Sequence, residues 1–354
     1  DKFRGANPLC LPHRPFEEDT NVHIGTSLGI SPREPITHTV DVVKSAENLG
    51  FDSAWIADVQ LSMKDCYTAM PLCAVATSKI QIGTGVTNPI TRDPTTLACS
   101  FTALNEISDG RAICGIGTGW TGVFSIGKKP STIDNLERSI NDIHTLTEGG
   151  DITGPHGMDY RLTTHNGRVS VYVAANQPRI LRMCGRVADG VIMMGGANEE
   201  FTKWQIDLVK EGAEEVGRDF NEITLHLWAA IGMDEDKAQG REDVSHWAAS
   251  QAETFSQWKH TPDFLEKWRD DFTAASNAYD RLEHMSSHAS HKSVLSPEFI
   301  DWVAFTGGPQ ECRDQISKLK ALGLHGVTLA FRAGAGGRQA RMEELSREII
   351  EHFK

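Results

Sequence analysis

One junction recurs in this chain and constrains its fold more than any other feature: an amphipathic helix ends, a Gly or Asp-Gly turns the backbone, and a short apolar run begins. It occurs at AENLG-FDSAWI (46–56), NEISDG-RAICGIG (105–117), GRVADG-VIMM (185–194) and KALG-LHGVTLAF (320–331). Gly stops a helix by adopting the left-handed C-cap conformation that other residues resist, and the run behind it is too short to be a helix. A chain punctuated in this way alternates helix and strand. The helices before the junctions carry a 3.6-residue apolar stripe, Ile36, Val40, Val43, Ala46 and Leu49 in one case and Cys312, Ile316, Leu319 and Leu322 in another. Asp93 before Pro94 and Gly308 before Pro309 mark helix starts, because proline lacks only an N–H that the first turn leaves unpaired anyway.

Collecting the apolar β-rich runs gives eight candidate strands: 22–28, 53–56, 80–84, 112–117, 170–174, 190–193, 223–231 and 326–331. Eight alternating units predict an α/β fold, a (β/α)8 TIM barrel, with an open doubly wound sheet as the competitor. Residues 234–305 break the alternation with a polar stretch of helical composition carrying Trp247, Trp258, Trp268 and Trp302. We read this stretch as a helical insertion between strands seven and eight, within a single domain spanning 1–354, capping the barrel mouth. A short hairpin is expected around Ile152–Arg161, ahead of strand five.

The 354 residues hold 35 Lys and Arg against 48 Asp and Glu, a formal net charge of −13. A non-specific grip on nucleic acid or on an anionic membrane would be self-repelling, so neither is expected as a partner. Seven scattered cysteines without a C-x-x-C pair indicate neither a disulfide framework nor a zinc site. No apolar stretch approaches the roughly 18 residues of a membrane helix, and the start DKFRGANPLCLPHRPFEED lacks a signal-peptide core. A soluble cytoplasmic protein is the expectation.

Chemistry in a (β/α)8 barrel collects at the C-terminal ends of the strands. The residues there are Thr26 to Gly29, Ala57-Asp58-Val59, Gly85-Val86-Thr87-Asn88-Pro89, Gly117 to Trp120, AANQP (174–178), MMGGAN (193–198) and RAGAGG (332–337). Gly-rich turns let backbone amides approach a phosphate, although Gly also serves tight turns for their own sake. GIGTG (115–119) lacks the G-x-G-x-x-G spacing of a dinucleotide site. HMSSHASH (284–291) has no acidic or Cys partners and reads as a solvated loop rather than a metal site. No nucleophilic triad or carboxylate pair stands out, and Asp58 is the one acid at a strand mouth, so an organic cofactor is expected to carry the chemistry.

Three stretches, GFDSAWIAD (50–58), IQIGTGVTNPITRDPTTLACSFTALNEISDGRAICGIGTGW (80–120) and VYVAANQPRILRMCGRVADGVI (171–192), together resemble the bacterial-luciferase-like superfamily, and within it the methylenetetrahydromethanopterin-reductase-like branch. The likeness extends from about Val22 to the end, through GGPQECRDQISKLKALGLHGVTL. It implies a TIM barrel binding reduced FMN, or its 5-deaza analogue coenzyme F420, at the strand C-termini. Gly85-Val86, with Thr87 behind it, matches the family's bulge after strand three, often joined by a non-prolyl cis peptide, that backs the ring. Asp58 matches the family acid near the ring's polar edge. Ala175, Asn176 and Gln177 match the loop whose amides take the cofactor phosphate, with Gly195 and Gly196 adjacent, and Gly117 packs close to the ring. Asp58, Asn88 and Trp120 are expected on the substrate side.

The family's deazaflavin dehydrogenases often have His after the strand-two acid, where this chain has Val59. Without that proton shuttle, the expectation is a monooxygenase using reduced FMN and oxygen on a small organic substrate, drawing reduced flavin from a separate flavin reductase and forming a homodimer. The alternative is a deazaflavin-dependent reductase or dehydrogenase working by hydride transfer. Two other readings stay open, a non-catalytic flavin-binding protein and a sugar-phosphate isomerase or lyase using RAGAGG as its phosphate site.

Overall fold

The computed structural model describes residues 21–154, 156–278, 294–334 and 336–354. At three of the four junctions the stopping glycine is left-handed, Gly50 at φ 85°, Gly110 at 81° and Gly323 at 97°. The fourth differs. Its helix ends at Val187 with Ala188 extended, and Gly190 instead opens the next strand, where a Cβ would stand 2.8 Å from the Tyr172 ring. Glycine is there for a close approach and not for the turn.

The chain packs as two compact units, and the first comprises the residues up to Met193 together with Gln205–His226. In it β1 (His23–Leu28) leads through α1 (Ile36–Asn48) to β2 (Ser53–Ile56), and α2 (Cys66–Ala76) leads to β3 (Gln81–Thr84). Next come α3 (Pro94–Ile107), β4 (Ala112–Ile116), the short α4 (Thr121–Phe124) and α5 (Ile133–Thr147). The expected hairpin is present as β5 (Asp151–Thr153) against β6 (Asp159–Arg161), antiparallel. Then β7 (Ser170–Ala175), α6 (Pro178–Val187) and β8 (Gly190–Met193) follow, with most of α7 (Glu199–Glu215). Strands β1, β2, β3, β4, β7 and β8 lie side by side in that order, every pair parallel, with Ser53 opposite both Gly25 and Gln81.

Two polar devices fix this sheet. Arg111 is buried just before β4 and donates to the carbonyls of Ser108, Ile80 and Ala74, so one guanidinium ties the ends of α2 and α3 to the start of β3. Ahead of β7 and β8, Asp189 accepts from His144 Nε2 at 2.8 Å, from Arg168 at 2.8 Å and from the Val171 amide at 2.8 Å. Arg168 also lies 3.1 Å from His144 Nδ1. Arginine can only donate, so Nδ1 accepts and the His144 proton sits on Nε2, facing Asp189. Burial alone would raise the Asp189 carboxyl's pKa, but the bond from His144, the Arg168 charge and the Val171 N–H outweigh it and hold the group well below the usual carboxylate range.

The second unit comprises Met194–Trp204 and the residues from Leu227 onward. It holds most of β9 (Thr224–Met233), then α8 (Lys237–Ser256), α9 (Arg269–Ala278), α10 (Pro297–Val303), β10 (Phe305–Gly307), α11 (Pro309–Lys320), β11 (Gly326–Ala330) and α12 (Gly337–Glu348). The 234–305 insertion is helical as expected where it is described, and aromatic side chains fill its interior. Phe255 packs 5.0 Å from Trp258 and 5.3 Å from Phe272, and Trp302 lies 5.5 Å from Phe201, ring centre to ring centre. β10 is a difference from the sequence reading: three residues, FTG, pair in parallel with β9, Phe305 opposite Ile231. A three-residue strand at the end of a helical stretch carries too little periodicity to be read.

Strands β1, β2, β3, β4, β7, β8, β9 and β11 are the eight expected from the sequence, and the fold is the α/β (β/α)8 barrel. No helix among the described residues is long and apolar enough to cross a membrane.

Two consequences can be measured. A Cβ at Gly115 in β4 would overlap the backbone carbonyl oxygen of Thr84, which cannot swing aside, so Gly115→Ala should lower the unfolding free energy by about 3 kcal/mol in urea titration. The Asp189 carboxyl has a depressed pKa in the folded state, so its stabilising contribution is complete above the unfolded value of about 3.9 and is lost as pH falls through the folded one. Asp189→Asn should therefore be less stable at pH 7 and show a flatter fall in urea midpoint between about pH 5 and pH 2 than the wild type.

Candidate functional site

The first unit gathers most of the sequence-predicted site residues where β2, β3 and β4 end. The chain leaves β3 through Gly85-Val86, joined by a cis peptide bond at the position expected for one. It does not leave the sheet there. Gly85 donates to the Ile56 carbonyl at 2.8 Å, Thr87 donates to Gly115 at 2.8 Å, and Gly117 donates back to Thr87 at 2.9 Å. Backbone pairing thus continues past the strand's own end, with Thr87 bridged to Ile116. A Cβ on Gly117 would stand 3.3 Å from Val86 and 3.7 Å from Ala174, so its absence leaves room beside the bulge.

Asp58, the first candidate acid, is 4% exposed and fully engaged. Its Oδ2 accepts from Thr87 Oγ1 at 2.7 Å and from Arg92 Nε at 3.0 Å, while its Oδ1 accepts from Gln60 Nε2 at 2.7 Å and from Arg92 Nη2 at 3.3 Å. Arg92 also reaches Asp65 at 2.6 Å and lies over the Tyr67 ring, 3.8 Å from its centre. Burial works against the Arg92 charge, but the hydrogen bond and charge of Asp58 and the hydrogen bond to Asp65 prevail and hold its pKa above the usual arginine range. Burial, with the charge of Asp58 beside it, pushes the Cys66 thiol up, so it is no thiolate nucleophile.

Asn88 is buried, and its Oδ1 accepts from the amides of Ile90 (3.1 Å) and Thr91 (2.9 Å), an Asx turn that bends the chain toward α3. Its side chain packs against Gly119, left-handed at φ 84°, where any Cβ would strike it at 2.9 Å. Trp120 follows, 42% exposed, with its ring edge-to-face with Phe124 at 4.9 Å; Phe124 is itself 39% exposed. The α4 turn that carries them runs over Asp58, because a Cβ on Gly122 would meet the Asp58 carbonyl at 2.8 Å.

Ala175 ends β7, Asn176 is half-buried, and exposed Gln177 precedes Pro178 at the start of α6 without capping it through its side chain. Gly195 and Gly196 belong to the second unit. Gly195 has φ 113°, and a Cβ there would press on Phe201 at 2.9 Å and Phe255 at 3.1 Å, so packing alone accounts for this glycine. HMSSHASH lies outside the described residues, as does Ala335 within RAGAGG. Among the described residues no three His, Cys, Asp or Glu side chains are grouped to hold a metal ion.

Sequence reasoning missed Arg92, Gln60 and Tyr67. Asp93 before Pro94 opens α3 as expected, since Asp93 caps it by accepting from the Thr95 amide. The signal that could have found Arg92 is an arginine in an otherwise uncharged loop, NPITR, in a chain whose one strand-mouth acid needs a partner.

Fold and site together define a (β/α)8 barrel whose third strand carries its chain past the mouth on a cis-peptide bulge. Residues 16–326 match the family model described as luciferase-like monooxygenase, and the chain belongs to that family. It is 28% identical over 328 residues to a 5,10-methylenetetrahydromethanopterin reductase of Methanolobus tindarius, covering 90% of this chain and 97% of the relative. It is 30% identical over 227 residues to an F420-dependent glucose-6-phosphate dehydrogenase of Kineococcus radiotolerans, covering 59% of this chain and 67% of that one. The solved structure of coenzyme F420 dependent tetrahydromethanopterin reductase from Methanopyrus kandleri superposes with a TM-score of 0.76 at 24% identity, over 94% of this chain and all of that one, a likeness of fold.

The Gly195 geometry makes a prediction. Gly195→Ala should cost about 1–3 kcal/mol of stability, read from the urea midpoint, because it combines an unfavourable φ with two ring contacts that must give.

Proposed function

We propose that this protein is a coenzyme F420-dependent reductase or dehydrogenase. The observation that carries the reading is the likeness over 90% of the chain to a reductase, joined by a dehydrogenase named for F420. The oxygen-dependent reading with reduced FMN drew on Val59 standing where a histidine is often found, and the names of these relatives lend it nothing. Bound deazaflavin supplies two-electron hydride transfer without oxygen chemistry.

The residues suit such a group. The missing Cβ of Gly117 leaves a cradle between Val86 and Ala174, next to the cis bulge on which a planar ring would rest. Ala175, Asn176, Gln177 and the first-turn amides of α6 are the proposed phosphate seat, since a helix start without a side-chain cap leaves N–H groups for an anion. Asn88 holds the loop beside the bulge, and Trp120 with Phe124 offers an aromatic edge to the substrate.

The test is direct. Purified protein should quench or shift coenzyme F420 fluorescence on binding and hold it at least about tenfold tighter than FMN. It should also transfer hydride anaerobically, from reduced F420 to methylenetetrahydromethanopterin or from glucose 6-phosphate to oxidised F420. Preferential FMN binding with substrate-dependent oxygen uptake would sink the proposal. Trp120→Ala should raise KM for the accepted probe several-fold while leaving F420 affinity nearly unchanged, since the ring lies at the surface and outside the backbone pairing.

A further inference from the structure

The carboxylate expected at the polar edge of the ring has no free acceptor. An ionised carboxylate offers about four lone-pair positions. At Asp58 all four are met, by Thr87, Gln60 and twice by Arg92. A group so engaged, and so buried, is poorly placed to accept a proton or to orient a substrate. What it does hold is chain. Thr87 and Arg92 are five residues apart, and the segment between them contains the Asx turn of Asn88. Just before Thr87 stands the Gly85-Val86 bulge, and both backbone groups of Thr87 are bonded too, its N–H to Gly115 in β4 and its carbonyl to Gly117 just beyond it. Arg92 in turn is anchored by Asp65 and by the face of Tyr67. One carboxylate therefore pins the exit from β3 at both ends.

We infer that Asp58 is a positioning residue: through Thr87 and Arg92 it clamps the 85–92 segment against β2, and it acts on the cofactor only by fixing the bulge on which the ring rests. The last clause rests on the function proposed above; the clamp itself does not. Arg92 and Thr87 are positioning residues with it, and none of the three is an acid or base of the reaction.

The clamp predicts shared behaviour. Asp58→Asn puts an amide donor among donors, Arg92→Gln removes the fork, and Thr87→Val removes one hydroxyl with little change of shape. Hydrogen–deuterium exchange on the full unliganded chain should rise at least about tenfold in peptides covering 85–92 for the first two variants and less for Thr87→Val. The double variant Asp58→Asn/Arg92→Gln should exchange no faster than the faster single, because residues of one network are not additive. F420 affinity should fall by a similar factor in both single variants, and the pH profile of kcat should keep its wild-type shape.

Unchanged exchange in Thr87→Val and Arg92→Gln would overturn the clamp, and Thr87→Val serves here even if Asp58→Asn fails to fold. A pH limb lost in Asp58→Asn but kept in Arg92→Gln would overturn the positioning role and make Asp58 an acid or base. If the wild type binds neither F420 nor FMN while exchange responds as expected, the proposed function fails and the clamp is supported.

Discussion

Every buried backbone N–H and C=O must find a partner, and a strand that leaves its sheet to build a binding surface loses its partners at that point. In this protein β3 avoids the loss by continuing to pair after it has bent. Gly85 bonds to Ile56, and Thr87 exchanges bonds with Gly115 and Gly117 across the gap. The rest of the first unit's mouth depends on that continuity. Gly115 is bare because the last residue of β3, Thr84, lies against it, Gly117 leaves room beside Val86, Asn88 turns the chain once it has crossed, and Gly119 is left-handed so that the next loop can clear Asn88. A side chain added along this seam has little backbone freedom to push against.

Much of the architecture was legible because its signals are local. A left-handed Gly50, Gly110 or Gly323 stops a helix wherever the chain goes next, and Asp93 before Pro94 starts one within two residues. Eight apolar runs alternating with such helices leave few folds to choose from. The GVTNP bulge was legible for a different reason, its likeness to a family pattern; nothing in the spacing of Gly85 and Val86 dictates a cis bond. The candidate residues themselves were found by the rule that barrel chemistry lies after the strands, and the structure brings Asp58, Val86, Thr87, Asn88 and Gly117 together there.

What escaped is non-local. Asp58 and Arg92 are separated by 34 residues, and no periodicity links an acid after β2 to an arginine before α3. Asp58 was read as a lone acid because its partner could be known only once two loops were folded side by side. The resemblance puts Gly195 beside the phosphate loop, and glycine's two uses look identical in sequence; only the folded chain shows that Phe201 and Phe255 also pack where its Cβ would be. β10 escaped by brevity, three residues paired with β9 at the end of a helical stretch.

Trp120 and Phe124 stand apart from all of this. They sit half-exposed at the two ends of the short α4, edge to face with one another, and none of the bonds that carry the chain past β3 runs through their side chains. The scaffold that resists change and the surface that meets the surroundings are therefore built from different residues. Exchange of the ring at 120 or 124 leaves the backbone pairing beneath it in place, so the outward face of α4 can change without any change in how β3 crosses the mouth.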